Sequence, residues 1–79
     1  MTYNLFEEVV LLEDIVEKGL MKGDVATIVE HHPAAGGEDG YTLEVFNALG
    51  ETISVVTVSE SRIAPLTENE IFNVRRLAV

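Results

Sequence analysis

Five short apolar runs, each bounded by turn residues, predict an all-β domain for this chain. Two further observations support that class. The runs are dense in Val, Ile, Thr and Leu, and between Phe6 and Leu66 no stretch repeats its apolar residues at a sustained helical period. The chain has only 79 residues, so its core is thin and its sheet has to close or cover its edges.

Taken in order, residues 8–12 (Glu-Val-Val-Leu-Leu) read as the first strand. Residues 13–24 carry two glycines, mixed charges and isolated apolar side chains, the pattern of a long ordered loop that folds its own side chains onto the core. Residues 25–30 are the second strand. If they are extended, Val25, Thr27 and Val29 share one face and Ala26, Ile28 and Glu30 the other. Residues 31–40, with Pro33 and three glycines, read as a mobile loop. Residues 41–47 alternate cleanly, with Tyr41, Leu43 and Val45 opposite Thr42, Glu44 and Phe46. Residues 48–51 make a hairpin-type connection in which Gly50 is available for positive φ. Residues 52–59 are the densest β-branched run. Residues 60–62 form a tight turn into a short last strand, 63–66, which Pro65 confines to an edge or a strand end.

A long loop after strand one, a central hairpin and a turn before a short final strand describe a small five-stranded SH3-like barrel over residues 1–66. A small open meander is the alternative. Residues 67–79 form a C-terminal tail, either a short helix or extended. Thr67 and Glu70 fit a capping box, and Ile71, Val74 and Ala78 fall along one helical face, though about ten residues make a marginal helix without a packing surface.

Composition removes several classes of function. The absence of cysteine rules out disulfides, zinc–thiolate sites and thiol nucleophiles, and it suits a reducing cytoplasm, where we expect the protein to reside. No apolar run approaches the roughly 20 residues of a membrane helix, and the N-terminus lacks the pattern of a signal peptide. Fourteen acidic residues against five basic ones give a formal charge of −9, which disfavours nucleic acid and anionic membranes and makes a basic protein partner electrostatically easier.

The stretch from Val9 to Asp14 resembles a bacterial family of domains of unknown function, number 4926. So do residues 19–30 (Gly-Leu-Met-Lys-Gly-Asp-Val-Ala-Thr-Ile-Val-Glu), Tyr41 to Phe46, Thr52 to Val58, and Arg62-Ile63-Ala64-Pro65-Leu66. The resemblance implies a small SH3-like protein whose Gly-Leu-x-x-Gly-Asp turn is similar to the KOW element of ribosomal and transcription-factor domains. Ala26 stands where that element usually carries glycine, which counts against an RNA contact there. The family supplies no catalytic residues. It also implies companionship with toxin-like or nuclease-like neighbours, hence an antitoxin or immunity role as one reading. A KOW-like nucleic-acid module using Lys18, Lys22 and Arg62 is a more distant one.

Each chemical constellation has a plainer reading. His31 and His32 are adjacent, so on a strand their rings point to opposite faces and do not converge on one metal ion; an exposed pair is the expectation. The paired carboxylates Glu7-Glu8, Glu13-Asp14 and Glu38-Asp39 fall at strand ends and in loops, where solvated charge is the default. No serine stands in a Gly-x-Ser-x-Gly setting, and neither glycine cluster ends in Gly-Lys-Ser/Thr. The five aromatics, with no tryptophan, are too few for a proline-peptide groove. We expect no enzyme activity, no catalytic or metal-binding residue and no cofactor.

What remains is apolarity. In strand four both faces are apolar, Ile53 and Val55 on one and Val56 and Val58 on the other. A barrel has one inside, so one row must be covered by the chain's own ends or by a partner. Val56, Val58, Ile71, Phe72 and Leu77 are therefore the candidate partner-binding residues. The expected partner is an unidentified protein, encoded by a neighbouring gene in one reading, or a second copy of this chain.

Overall fold

A computed structural model describes residues 3–77. Five antiparallel strands form one sheet in the order β4-β3-β2-β1-β5. They are β1 (Glu8–Leu11), β2 (Val25–His32), β3 (Gly40–Phe46), β4 (Thr52–Ser59) and β5 (Ile63–Pro65). The only helical pieces among the described residues are two single 3-10 turns, Val16–Lys18 and Glu60–Arg62. The chain is thus all-β. Each predicted strand is present within two residues of its expected ends.

The alternation of β3 sets the core. Tyr41 and Leu43 are fully buried on its inner face, and Val9, Leu11, Ala26, Ile28, Val58 and Ile63 join them from the other four strands. Residues 13–24 behave as their composition predicts. Ile15 and Leu20 pair across a bridge, both are buried in the core, and Gly19, at φ 70°, reverses the chain between them. The loop is stapled at its end, where Leu11 N–H donates to Asp24 C=O and Gly23 N–H to Leu11 C=O.

Strict alternation fails at one place in β2. A register shift between Ile28 and Glu30 leaves Val29 unpaired, so Glu30 sits opposite Thr42 and His31 opposite Tyr41. The extra residue reverses the faces beyond it. Without it Glu30 would continue the buried row of Ala26 and Ile28; with it Glu30 is exposed and a histidine takes the inner position.

The loop at 33–39 is held more firmly than its glycines suggest. Asp39 accepts from His31 Nε2 (2.7 Å) and from Ala34 N–H (3.1 Å), and Glu38 accepts from Ser61 N–H (2.7 Å) and Ser61 Oγ (3.1 Å). Local side-chain acceptors replace the strand pairing that this stretch lacks.

The tail forms no helix and is irregular from residue 70 to 77. Glu70 Oε1 accepts from Thr67 N–H (2.6 Å) and Glu70 N–H donates to Thr67 C=O (3.1 Å), so half of the capping box forms. These bonds close one turn at residues 68–69, and no helix follows through residue 77. The segment finds fixed partners on the sheet domain, described below, which a short marginal helix would have to give up. Ala78, assigned to the helical face, lies outside the described residues.

Candidate interaction surface

The two faces of β4 part differently from the expectation. Leu43 lies opposite Val56 and Tyr41 opposite Val58, so Val56 and Val58 share the inner face of β3. Val58 is buried and Val56 is packed against the core. Burial of Val58 removes it from any contact surface, whereas Val56 stays half-buried. Val55 lies on the opposite, outer face and is 44% exposed, and Ile53, left unpaired by a register shift between Val45 and Phe46, is 40% exposed. Because both rows of β4 are apolar, only the register against β3 decides which turns inward.

Of the three candidate tail residues, Leu77 packs against the core, whereas Ile71 and Phe72 are exposed. The residue that seats the tail is Arg75. Its Nε donates to Asp24 Oδ1 (2.9 Å), and its Nη2 donates to Asp24 Oδ2 and to Gly19 C=O (2.9 Å). A planar guanidinium matches a carboxylate in this two-bond geometry. The loop readies Asp24 for it, since the same Oδ2 accepts from Met21 N–H at 2.8 Å. Burial pushes the Asp24 carboxyl up, but the Arg75 fork and the Met21 N–H outweigh it and hold the group below its ordinary value. The hydrogen bonds to Asp24 raise the Arg75 guanidinium in turn.

Held this way, the tail spans a cleft of about 400 Å³. Leu20, Val25 and Val45 form its floor, and Phe46 and Ile53 at the β3–β4 hairpin form one wall. Phe72, Val74 and Leu77 of the tail form the other. A second cleft of about 290 Å³ adjoins it, between the turn at Met21 and Lys22 and the tail residues Ile71 and Arg75. The tail thus crosses a groove that it does not fill.

A separate polar cluster sits at the other end of β3. The buried Tyr41 ring stacks on His31 (centroids 4.9 Å, 12° between planes) and meets Tyr3 edge on (5.5 Å, 81°). Its hydroxyl accepts from Tyr3 N–H (3.0 Å) and donates to Glu60 Oε1 (3.1 Å). Burial raises the Tyr41 phenol above its ordinary value. His32, by contrast, points to Thr42 on the outer face (2.7 Å). The two rings diverge as the strand geometry requires, and among the described residues no three His, Asp or Glu side chains gather into a metal-binding group. The polar cluster ties the N-terminal segment, β2 and the Glu60–Arg62 turn to one buried phenol, which is structural work.

The basic residues proposed for a KOW-like surface are placed in or against the β1–β2 loop. Lys18 and Lys22 lie on it, and Arg62 Nε is 3.0 Å from Glu13 Oε2. No helix among the described residues is long and apolar enough to cross a membrane.

Sequence reasoning missed Asp24 and Arg75. The signal was faint but present: Asp24 closes a Gly-Asp turn, and the tail holds two of the five basic residues in a strongly acidic chain. Compared with known families, residues 5–65 match the family described as Domain of unknown function (DUF4926). No curated protein and no solved structure matches the chain.

Proposed function

We propose that this chain, which belongs to the DUF4926 family, is a non-enzymatic protein-binding module built on an SH3-like β-sheet. One observation carries the reading. Phe46, Ile53, Phe72 and Val74 all line the same cleft, and they are 43%, 40%, 62% and 95% exposed. Single exposed apolar residues are ordinary on a soluble protein, but a group of four around one concavity is the usual character of a contact site. The charge supports a basic partner. Glu68 and Glu70 balance the two arginines of the tail, so the whole of the −9 resides in residues 1–66.

Affinity purification from the native host, comparing the wild type with a Phe46→Ser/Phe72→Ser variant, tests this. A protein recovered by the wild type and lost by an equally folded variant supports the reading. If both recover the same proteins, or neither recovers any, the cleft is not the contact site.

Self-association is a second reading, favoured by the free edge of β4. Glu60 N–H donates to Asp39 C=O, and by the alternation of an antiparallel ladder Val58 and Val56 also face β3. Val55 and Thr57 then turn their N–H and C=O groups to the open edge. From Thr52 to Ser59 there is no charge and no proline, the devices that usually blunt such an edge, whereas β5 at the other edge is three residues long and ends in Pro65. A dimer closed by β4 against β4 would dissociate on Val55→Lys, as read by sedimentation equilibrium. A monomeric wild type counts against it.

A further inference from the structure

The groove that the tail crosses carries more information than its apolar walls. At one place it has a polar specificity element: the Asp24 carboxylate, only 17% exposed at its side chain, together with the Gly19 carbonyl. Both are acceptors and both are taken by one guanidinium. The loop is built to present them. Gly19 stands at φ 70°, and Met21 N–H fixes the carboxylate through Oδ2. Two residues beyond Arg75, Leu77 packs on the core. The chain's own segment is therefore held by a two-point code: an arginine, and an aliphatic side chain two residues later.

The resident does not fill the site. Clefts of about 400 and 290 Å³ remain against it, and Phe72 and Val74 beside it stay largely exposed. The family match over residues 5–65 takes in Gly19, Asp24 and the sheet side of the cleft, and it does not cover the tail residues that form the other wall. Residues 1–66 hold the entire net negative charge, which draws a basic segment.

We infer that this groove is a peptide-recognition site for an extended segment of a partner protein carrying Arg-x-Leu or a similar arginine-plus-aliphatic pair, with residues 75–77 as its resident stand-in. The inference rests on the protein-binding reading and names its ligand. Arginine is preferred to lysine because only the planar fork reaches both Asp24 oxygens and the Gly19 carbonyl together. The tail competes as a tethered ligand at an effective concentration on the order of millimolar, so an outside segment has to displace it.

Calorimetric titration of the full-length protein with a synthetic peptide, Ile-Phe-Asn-Val-Arg-Arg-Leu, tests the assignment. The Arg75→Ala protein, whose own tail is unclasped, should bind this peptide at least roughly tenfold more tightly than the wild type does. Replacing the first arginine of the peptide by lysine should weaken binding to the Arg75→Ala protein roughly tenfold, and adding Asp24→Asn to that protein should weaken it likewise. No binding to the Arg75→Ala protein overturns the inference, as does binding indifferent to Asp24 or to the arginine. A wild-type dimer that dissociates on Arg75→Ala would give the groove to the tail of a second copy and overturn the outside partner. These titrations do not probe Phe46 or Phe72, so the broader protein-binding reading stands or falls separately on the purification experiment.

Discussion

Arg75 grips both carboxylate oxygens of Asp24 from 51 residues away in sequence. That contact joins the two parts of the molecule, the sheet domain and its tail. It also turns an otherwise irregular C-terminus into a strap over the β1–β2 loop and the β3–β4 hairpin.

Breaking the clasp should free the tail and leave the sheet intact. In Arg75→Ala, trypsin should cut after Arg76 markedly faster than in the wild type, while amide protection at Leu43 and Ile28 stays unchanged. The core residues are held by strand pairing that does not involve the tail.

Acid should have the same effect, with a definite sign. The Asp24 pKa is depressed in the folded protein. The stabilisation it gives tail docking is therefore fully present above the ordinary aspartate value, and it is lost as pH falls through the depressed one. The Arg75 Nε–H resonance should hold its position through neutral and mildly acidic pH and shift only below the ordinary aspartate range. Release near neutrality would contradict the pairing.

The two faces of β4 make a sharp comparison. Val58→Thr places a hydroxyl in the core and should cost about 1–3 kcal/mol in chemical denaturation. Val55→Thr, one register step from Val56 on the outer face, should fall within about 0.5 kcal/mol of the wild type.

Tyr41→Phe keeps the ring stack on His31 and removes the hydroxyl. The Tyr3 N–H then loses its acceptor in a buried setting, and the expected loss is about 1–3 kcal/mol by urea unfolding.

Asp39 reports on the histidine beside it. The hydrogen bond from His31 lowers its pKa, with the Ala34 N–H adding to the effect. His31→Ala should move the Asp39 carboxyl back up towards its ordinary value, followed through its carboxyl carbon resonance. An unchanged titration would show that the 2.7 Å contact does not persist in solution.

Most of the fold was legible because each strand announces itself locally: β3 by strict alternation, β4 by β-branched density, β5 by its proline. The faces of β4 were not, since both of its rows are apolar and only pairing with Tyr41 and Leu43 decides between them. The β2 bulge was equally hidden, because Glu30 and His31 are both polar and the sequence shows no break between them. Loop 33–39 looks mobile by composition, yet Glu38 and Asp39 anchor it through partners distant in sequence or on the preceding strand. The candidate site was half legible. Leu77, Phe72 and Ile71 marked the tail, but the groove depends on Asp24 and Arg75, whose meeting is a long-range contact with no periodic signature.

The central claim is that the tail is docked in its groove by Asp24 and Arg75. Backbone ¹⁵N heteronuclear NOEs for residues 72–77, measured in the wild type and in Asp24→Asn, test it most directly. The account predicts sheet-like values at Arg75 and Leu77 in the wild type that collapse in Asp24→Asn. Equally low values in both proteins would show that the tail never docks, and would contradict it.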